Sequence, residues 1–272
     1  MSLGIVIKGP EGLVLAADSR VTLGTKTPEG DIFHVNFDNA TKLLSFNGST
    51  SDSSNTHIGA VTYGQAIIGR TNRTVHSFLP EFESTLPNDR LPVSDFATRL
   101  SDFYLDQWNK NPLPNYKGPS ITFVVGGYNV DEHFGRTFLF EIPSSPEIQE
   151  RNSGPDQFGL TWGGQREFVD RIVQGYDENV LDILIGTLKL DPMLKSNLKT
   201  MLQPVSMQIP LQMLPLQDCV DLAIFFLRTT INGQRLTVGL RGVGGPIEVA
   251  TITRGEGFKF VQRKQILGEG DR

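Results

Sequence analysis

The chain has 272 residues, 38 % hydrophobic and 20 % charged, with a formal net charge of −5. Such a composition suits a globular protein with a sizeable core; the negative balance argues against nucleic acid, and no apolar run reaches the ~18 residues that cross a bilayer. A lone cysteine, Cys219, allows no internal disulfide and fits a reducing, cytoplasmic setting.

The first element begins at the chain start. Ser2 follows Met1, and a residue as small as serine is expected to let Met1 be trimmed. The chain would then begin with a hydroxyl and a free α-amine on one residue. Apolar runs at 5–7 and 13–17 are joined by Lys8-Gly9-Pro10-Glu11-Gly12, which predicts a hairpin. The second run closes on Ala16-Ala17-Asp18-Ser19-Arg20. Residues 24–39 are polar and turn-rich, with a short strand expected at 32–35. A strand over 41–46 carries Lys42 at its start. Residues 47–56 read as an exposed Ser/Asn/Gly loop.

A strand over 57–64 ends on Gly64. Ile68, Val75, Leu79 and Phe82 then recur at helical spacing and predict a helix over 65–86. A second helix is expected over 94–109, with Ser94 as its N-cap. Strands at 121–128 and 137–142 form an antiparallel pair. A short strand at 160–164 leads into a helix at 166–174, and helices follow at 180–188 and 192–202. An irregular apolar insertion occupies 203–217, then a buried apolar helix 217–231. The glycine-rich run 239–246 lacks the Lys-Ser/Thr of a phosphate loop and reads as a turn. Strands at 247–253 and 258–261 close the chain. Periodicity gives an α+β chain, taken as one domain over 1–272.

Anchored at Ser2, residues 2–24 resemble the proteasome β-subunit family of N-terminal-nucleophile hydrolases. The likeness lies in the hairpin, in its small-small-Asp-Ser-Arg ending, and in the ungapped spacing from Ser2 to Asp18. The resemblance implies a four-layer αββα sandwich of two antiparallel sheets flanked by helices. It implies Ser2 as nucleophile with its own amine as base. It places Lys42 beside the hydroxyl, Asp18 paired with Lys42, and the Gly64 amide as oxyanion donor. Lys26 is the alternative to Lys42. Thr22 and Thr62 are the expected substrate contacts. No cofactor is implied, and the four histidines lack metal-ligand spacing. The family stacks in rings, so self-association, a peptide or unfolded-protein substrate and an unfoldase partner are expected.

Two departures stand out. The family's serine at a strand-glycine-helix junction is replaced by Gly163-Gly164-Gln165. Its Asp and Ser ahead of a Gly-Gly are missing from Gly239-Leu240-Arg241-Gly242-Val243-Gly244-Gly245. Two other functions therefore stay open: a non-catalytic ring or scaffold subunit, and an amidase or transpeptidase with a specialised substrate.

Overall fold

The computed structural model describes residues 2–26, 32–46, 55–153, 157–239 and 241–269, without the side chains of 25, 26, 32 and 33. Met1 and most of the loop expected at 47–56 lie outside these residues. In chain order the elements are β1 (Leu3–Lys8), β2 (Leu13–Ala17), β3 (Val21–Lys26), β4 (Ile32–Phe37), β5 (Leu43–Ser45) and β6 (Ile58–Gly64). Then come α1 (Leu79–Glu83), α2 (Val93–Lys110), β7 (Ile121–Gly127), β8 (Arg136–Ile142), β9 (Ser145–Arg151) and β10 (Gly159–Gly164). The last are α3 (Glu167–Val173), α4 (Glu178–Leu188), α5 (Lys195–Leu202), α6 (Leu216–Leu236), β11 (Glu248–Thr253) and β12 (Gly257–Gln262).

Two five-stranded antiparallel sheets result, ordered β10-β1-β2-β11-β12 and β5-β6-β7-β8-β9, with β3 and β4 forming a separate ribbon. The alternation of side chains along a strand sorts them into layers. From β1, Leu3, Ile5 and Ile7 pack with Phe226 and Leu227 of α6 and Val169 of α3. Val6, on the opposite face, joins Leu15, Val61, Val124 and Ile252 between the sheets. The outer face of the second sheet packs Ala60, Phe123 and Phe140 against Phe96, Leu100 and Tyr104 of α2. The order helix, sheet, sheet, helix is the αββα sandwich. A strand covered on both faces is apolar along nearly all its length; β1 and β2 are fully buried, with Lys8 at the end of β1 their one charged residue.

The expected helix over 65–86 is not there. Residues 65–74 form an irregular loop with a single Ile67–Thr74 bridge, then one 3-10 turn at Val75–Phe78 leads into the five-residue α1. Gly69 and Asn72 both have left-handed backbone (φ +50° and +55°), which a helix cannot contain. The apolar residues at helical spacing are nonetheless buried, because Ile68, Val75, Leu79 and Phe82 reach the same core. Ser94 does not cap α2. That helix starts after Pro92, and the Val93 N–H donates to Asn129 Oδ1 at 2.8 Å. Strand β9 was not expected. Its residues alternate between half-buried and exposed, which hides the apolar signal. The insertion at 203–217 is irregular apart from one 3-10 turn at Gln203–Val205, and Ile209, Leu211 and Leu214 pack on the α6 side of the core. Glu11, from the β1–β2 turn, accepts from the Leu216 N–H at 2.6 Å where α6 begins.

Candidate active site

Residue 2 sits at the junction of three strands. Leu3 pairs with Gly164 of β10, while Gly4 pairs with Ala17 of β2. The Ser2 carbonyl accepts from the Gln165 N–H at 2.7 Å. Gly164 permits that approach. Its φ is +95°, and a Cβ there would stand 1.9 Å from the Ser2 oxygen. Ser2 is 4 % exposed.

Asp18, at the end of β2, is 1 % exposed. Its Oδ1 accepts from the Leu3 N–H (3.0 Å) and from Lys42 Nζ (2.7 Å); its Oδ2 accepts from the N–H groups of Arg20 (3.1 Å) and Gly244 (3.0 Å). A carboxylate has about four lone-pair sites, so this side chain is saturated. Lys42 is 5 % exposed and also donates to the Arg20 carbonyl at 2.6 Å. Burial pushes its ammonium below the usual lysine range, with Asp18 opposing. The pairing expected of Asp18 and Lys42 is therefore present as geometry.

A cavity of about 300 Å³ opens beside this pair, and Ser2, Val21, Lys42, Thr62 and Gly64 are in its wall. The Thr62 N–H donates to the Lys42 carbonyl at 2.9 Å. Residues two apart on a strand direct their N–H groups to the same edge, so the Gly64 amide is turned to the side Lys42 occupies. Gly64 has φ +91°, and a Cβ would meet the Ser120 carbonyl at 2.1 Å. The amide does not, however, open a helix. An irregular loop follows Gly64, so any oxyanion donation must come from the peptide itself and not from a helix dipole. Thr22 does not line the cavity; its Oγ1 donates to Asn36 Oδ1 across the β3–β4 ribbon at 2.8 Å, while the neighbouring Val21 lines the wall. The side chain of Lys26 lies outside the described residues.

Sequence reasoning missed Tyr63 and His76. Both line the cavity, and burial lifts the Tyr63 phenol to about 12 and lowers the His76 imidazole. It also missed an apolar hollow of about 530 Å³ that shares Val21, Ala40 and Ala66 with the first cavity and adds Leu23, Phe37 and Ile67. These residues come from three segments, and no local pattern joins them. Among the described residues, no group of three His, Cys, Asp or Glu could hold a metal ion, and no helix is long and apolar enough to cross a membrane.

No family model matches the chain, and no curated protein matches it. The fold is similar to solved structures of Anbu. One is the helical assembly of the Anbu complex from Pseudomonas aeruginosa, at 16 % identity, TM-score 0.56, covering 97 % of this chain and 88 % of that one. Another is an Anbu Gly-1 mutant from Hyphomicrobium sp. strain MC1, at 16 % identity, TM-score 0.55, covering 99 % and 88 %. At this identity the likeness shows the mixed α+β, proteasome-like fold and nothing finer. It corrects the family expected from residues 2–24: both structures named are of Anbu, and membership of the N-terminal-nucleophile hydrolases does not follow from them. The site also departs from what the resemblance implies. No helix follows Gly64, Gln165 replaces the junction serine, and the run before Gly244-Gly245 has neither Asp nor Ser.

Proposed function

We propose that this chain is a subunit of a self-associating particle that opens amide bonds with Ser2 once Met1 is removed. The observation that carries this reading is that Ser2, Lys42 and Gly64 share one cavity wall, with Lys42 held by a saturated Asp18. The Ser2 α-amine takes the hydroxyl proton as Oγ bonds to the substrate carbonyl carbon. The C–N bond then breaks, and the leaving amine takes that proton. Water cleaves the resulting ester, returning the hydroxyl and releasing an acid. The Lys42 ammonium and the Gly64 amide stabilise the developing charge. Thr62 and the Val21-Thr22 backbone flank the substrate. The adjoining apolar hollow suits a peptide with non-polar side chains, delivered unfolded or by an unfoldase partner.

Self-association is supported by the likeness to a helical Anbu assembly. A second reading, a non-catalytic assembly subunit, is favoured by one feature. The backbone near Gly244 is clasped by Arg20, which pairs with Asp38 (2.5 Å) and donates to the Arg241 carbonyl (3.1 Å). Structural pairing thus occupies the position where the expected family carries acid and hydroxyl groups. Mass spectrometry of the intact chain with a peptidyl β-lactone decides between them. Catalysis requires loss of Met1 and one adduct, absent in Ser2→Ala. Retained Met1, or no adduct, leaves the assembly reading. Peptide substrates set against small amides then separate a peptidase from an amidase.

A further inference from the structure

A cavity of about 280 Å³ lies between the second half of α6 and the chain that leaves β12, and it shares no residue with the cavity around Ser2. Arg228, Ile231 and Asn232 come from α6, Arg263 and Lys264 from just beyond β12, and Ile247 from the loop before β11. Arg228 and Asn232 are four apart, which puts them on one face of the helix. Three cations thus line one small space in a chain whose formal net charge is −5. No Asp or Glu is among the described residues that line it.

The three cations are committed to different degrees. Lys264 Nζ donates to Glu248 Oε2 at 2.7 Å and to the Ala40 carbonyl at 3.0 Å, and the Lys264 and Glu248 side chains are 11 % and 3 % exposed. That pair neutralises itself. Arg263 holds its guanidinium 4.6 Å from the centre of the Phe260 ring, with no carboxylate partner among the described residues. Arg228 has neither a hydrogen bond nor an ion pair among them. Both arginines are exposed, so an ion in solution can reach them. Two guanidiniums lining one cavity repel each other, and an anion between them replaces that repulsion with attraction.

We propose that this cavity binds a phosphate dianion, free or as the monoester of a small molecule. Each guanidinium presents a planar fork that matches phosphate oxygens, and the two positive charges of Arg228 and Arg263 balance a dianion. A carboxylate carries a single charge and is satisfied by one fork. Asn232 adds a neutral amide donor, and Ile231 and Ile247 suit the organic part of an ester. Binding here needs no free Ser2 amine.

Calorimetric titration of the full chain with inorganic phosphate, phenyl phosphate and acetate tests the site. It is run at about pH 8, where a phosphate monoester carries close to two charges, and at fixed ionic strength, so that screening is constant. Both phosphates should saturate a single site, with acetate about tenfold weaker or worse. Arg228→Gln and Arg263→Gln should each weaken phosphate binding about tenfold or more, as the loss of a hydrogen bond to a charged group does. Arg235→Gln removes an exposed arginine of α6 outside the cavity and should leave binding unchanged. Removal of exposed charges should leave the fold intact, which circular dichroism checks. Phenyl phosphate binding more tightly than inorganic phosphate assigns the site to an ester; equal or weaker binding assigns it to free phosphate, and either upholds the proposal. The absence of saturable binding, binding that survives Arg228→Gln and Arg263→Gln combined, or acetate binding as tightly as phosphate overturns it.

Discussion

Lys42 Nζ stands 2.7 Å from Asp18 Oδ1, with both side chains all but removed from water. Breaking such a pair by deleting one partner leaves a buried charge. Asp18 additionally serves three backbone N–H groups. Asp18→Ala should therefore cost about 3–5 kcal/mol of unfolding free energy, measured by urea denaturation. Asp18→Asn should cost less, since its oxygen still accepts from a backbone N–H.

Lys42→Met keeps much of the side-chain volume and removes the ammonium. Under the proposed mechanism, Ser2 labelling by the β-lactone should drop by about 10²-fold or more, the usual effect of losing a group that stabilises transition-state charge. Labelling that persists at the wild-type rate would exclude Lys42 from the chemistry.

Gly64 and Gly164 end strands in matching ways. Each has positive φ, each presses on a serine carbonyl, and each is followed by a glutamine whose N–H bonds that carbonyl (Ser120 and Ser2). Alanine at either position meets a strained backbone and a steric overlap, worth about 1–3 kcal/mol from the backbone alone. Thermal melts should show both losses. Gly164→Ala should also slow Ser2 labelling, because the displaced atom belongs to residue 2.

Arg20 holds the Asp38 carboxyl below its ordinary range, chiefly through their hydrogen bond. A carboxylate whose folded pKa is depressed adds stability above its unfolded value, near 3.8, and loses it as pH falls through the lower folded value. The wild-type chain should lose stability in that acid window, measured as urea midpoints against pH. Asp38→Asn should flatten that part of the profile and lower stability at neutral pH, where the ion pair is otherwise formed.

On α4, Ile183 and Leu188 are 63 % and 61 % exposed, and Met193 and Met201 on the next turn and α5 are 83 % and 75 % exposed. So much uncovered apolar surface suits contact with a second copy. If the chain self-associates through this face, as the proposed function has it, Ile183→Asp combined with Met201→Glu should reduce the mass in sedimentation without changing the melting temperature of the dissociated chain. An unchanged mass would move the interface elsewhere.

Most strands were legible because their evidence is local. Alternation, β-branched runs and Gly-Pro turns are fixed within a few residues, and β1, β2, β6, β7 and β11 appear close to where the pattern puts them. The 65–86 segment failed for an equally physical reason. Helical spacing of apolar residues only demands that they reach one core, and a loop with two left-handed residues does that as well. Gln234 left a faint trace, as a glutamine in the buried stripe of α6, but no sequence signal says what it touches.

The sequence by itself determined most of the strand and helix order, the hairpin at the start and the cluster of small residues before Asp18. Tertiary structure alone decided the site. Asp18 meets Leu3, Lys42 and Gly244 across separations of 15, 24 and 226 residues, and Gln234 meets Gln165 across 69. Sheet order and register set those meetings, and register depends on the packing of whole faces. No window of sequence contains it.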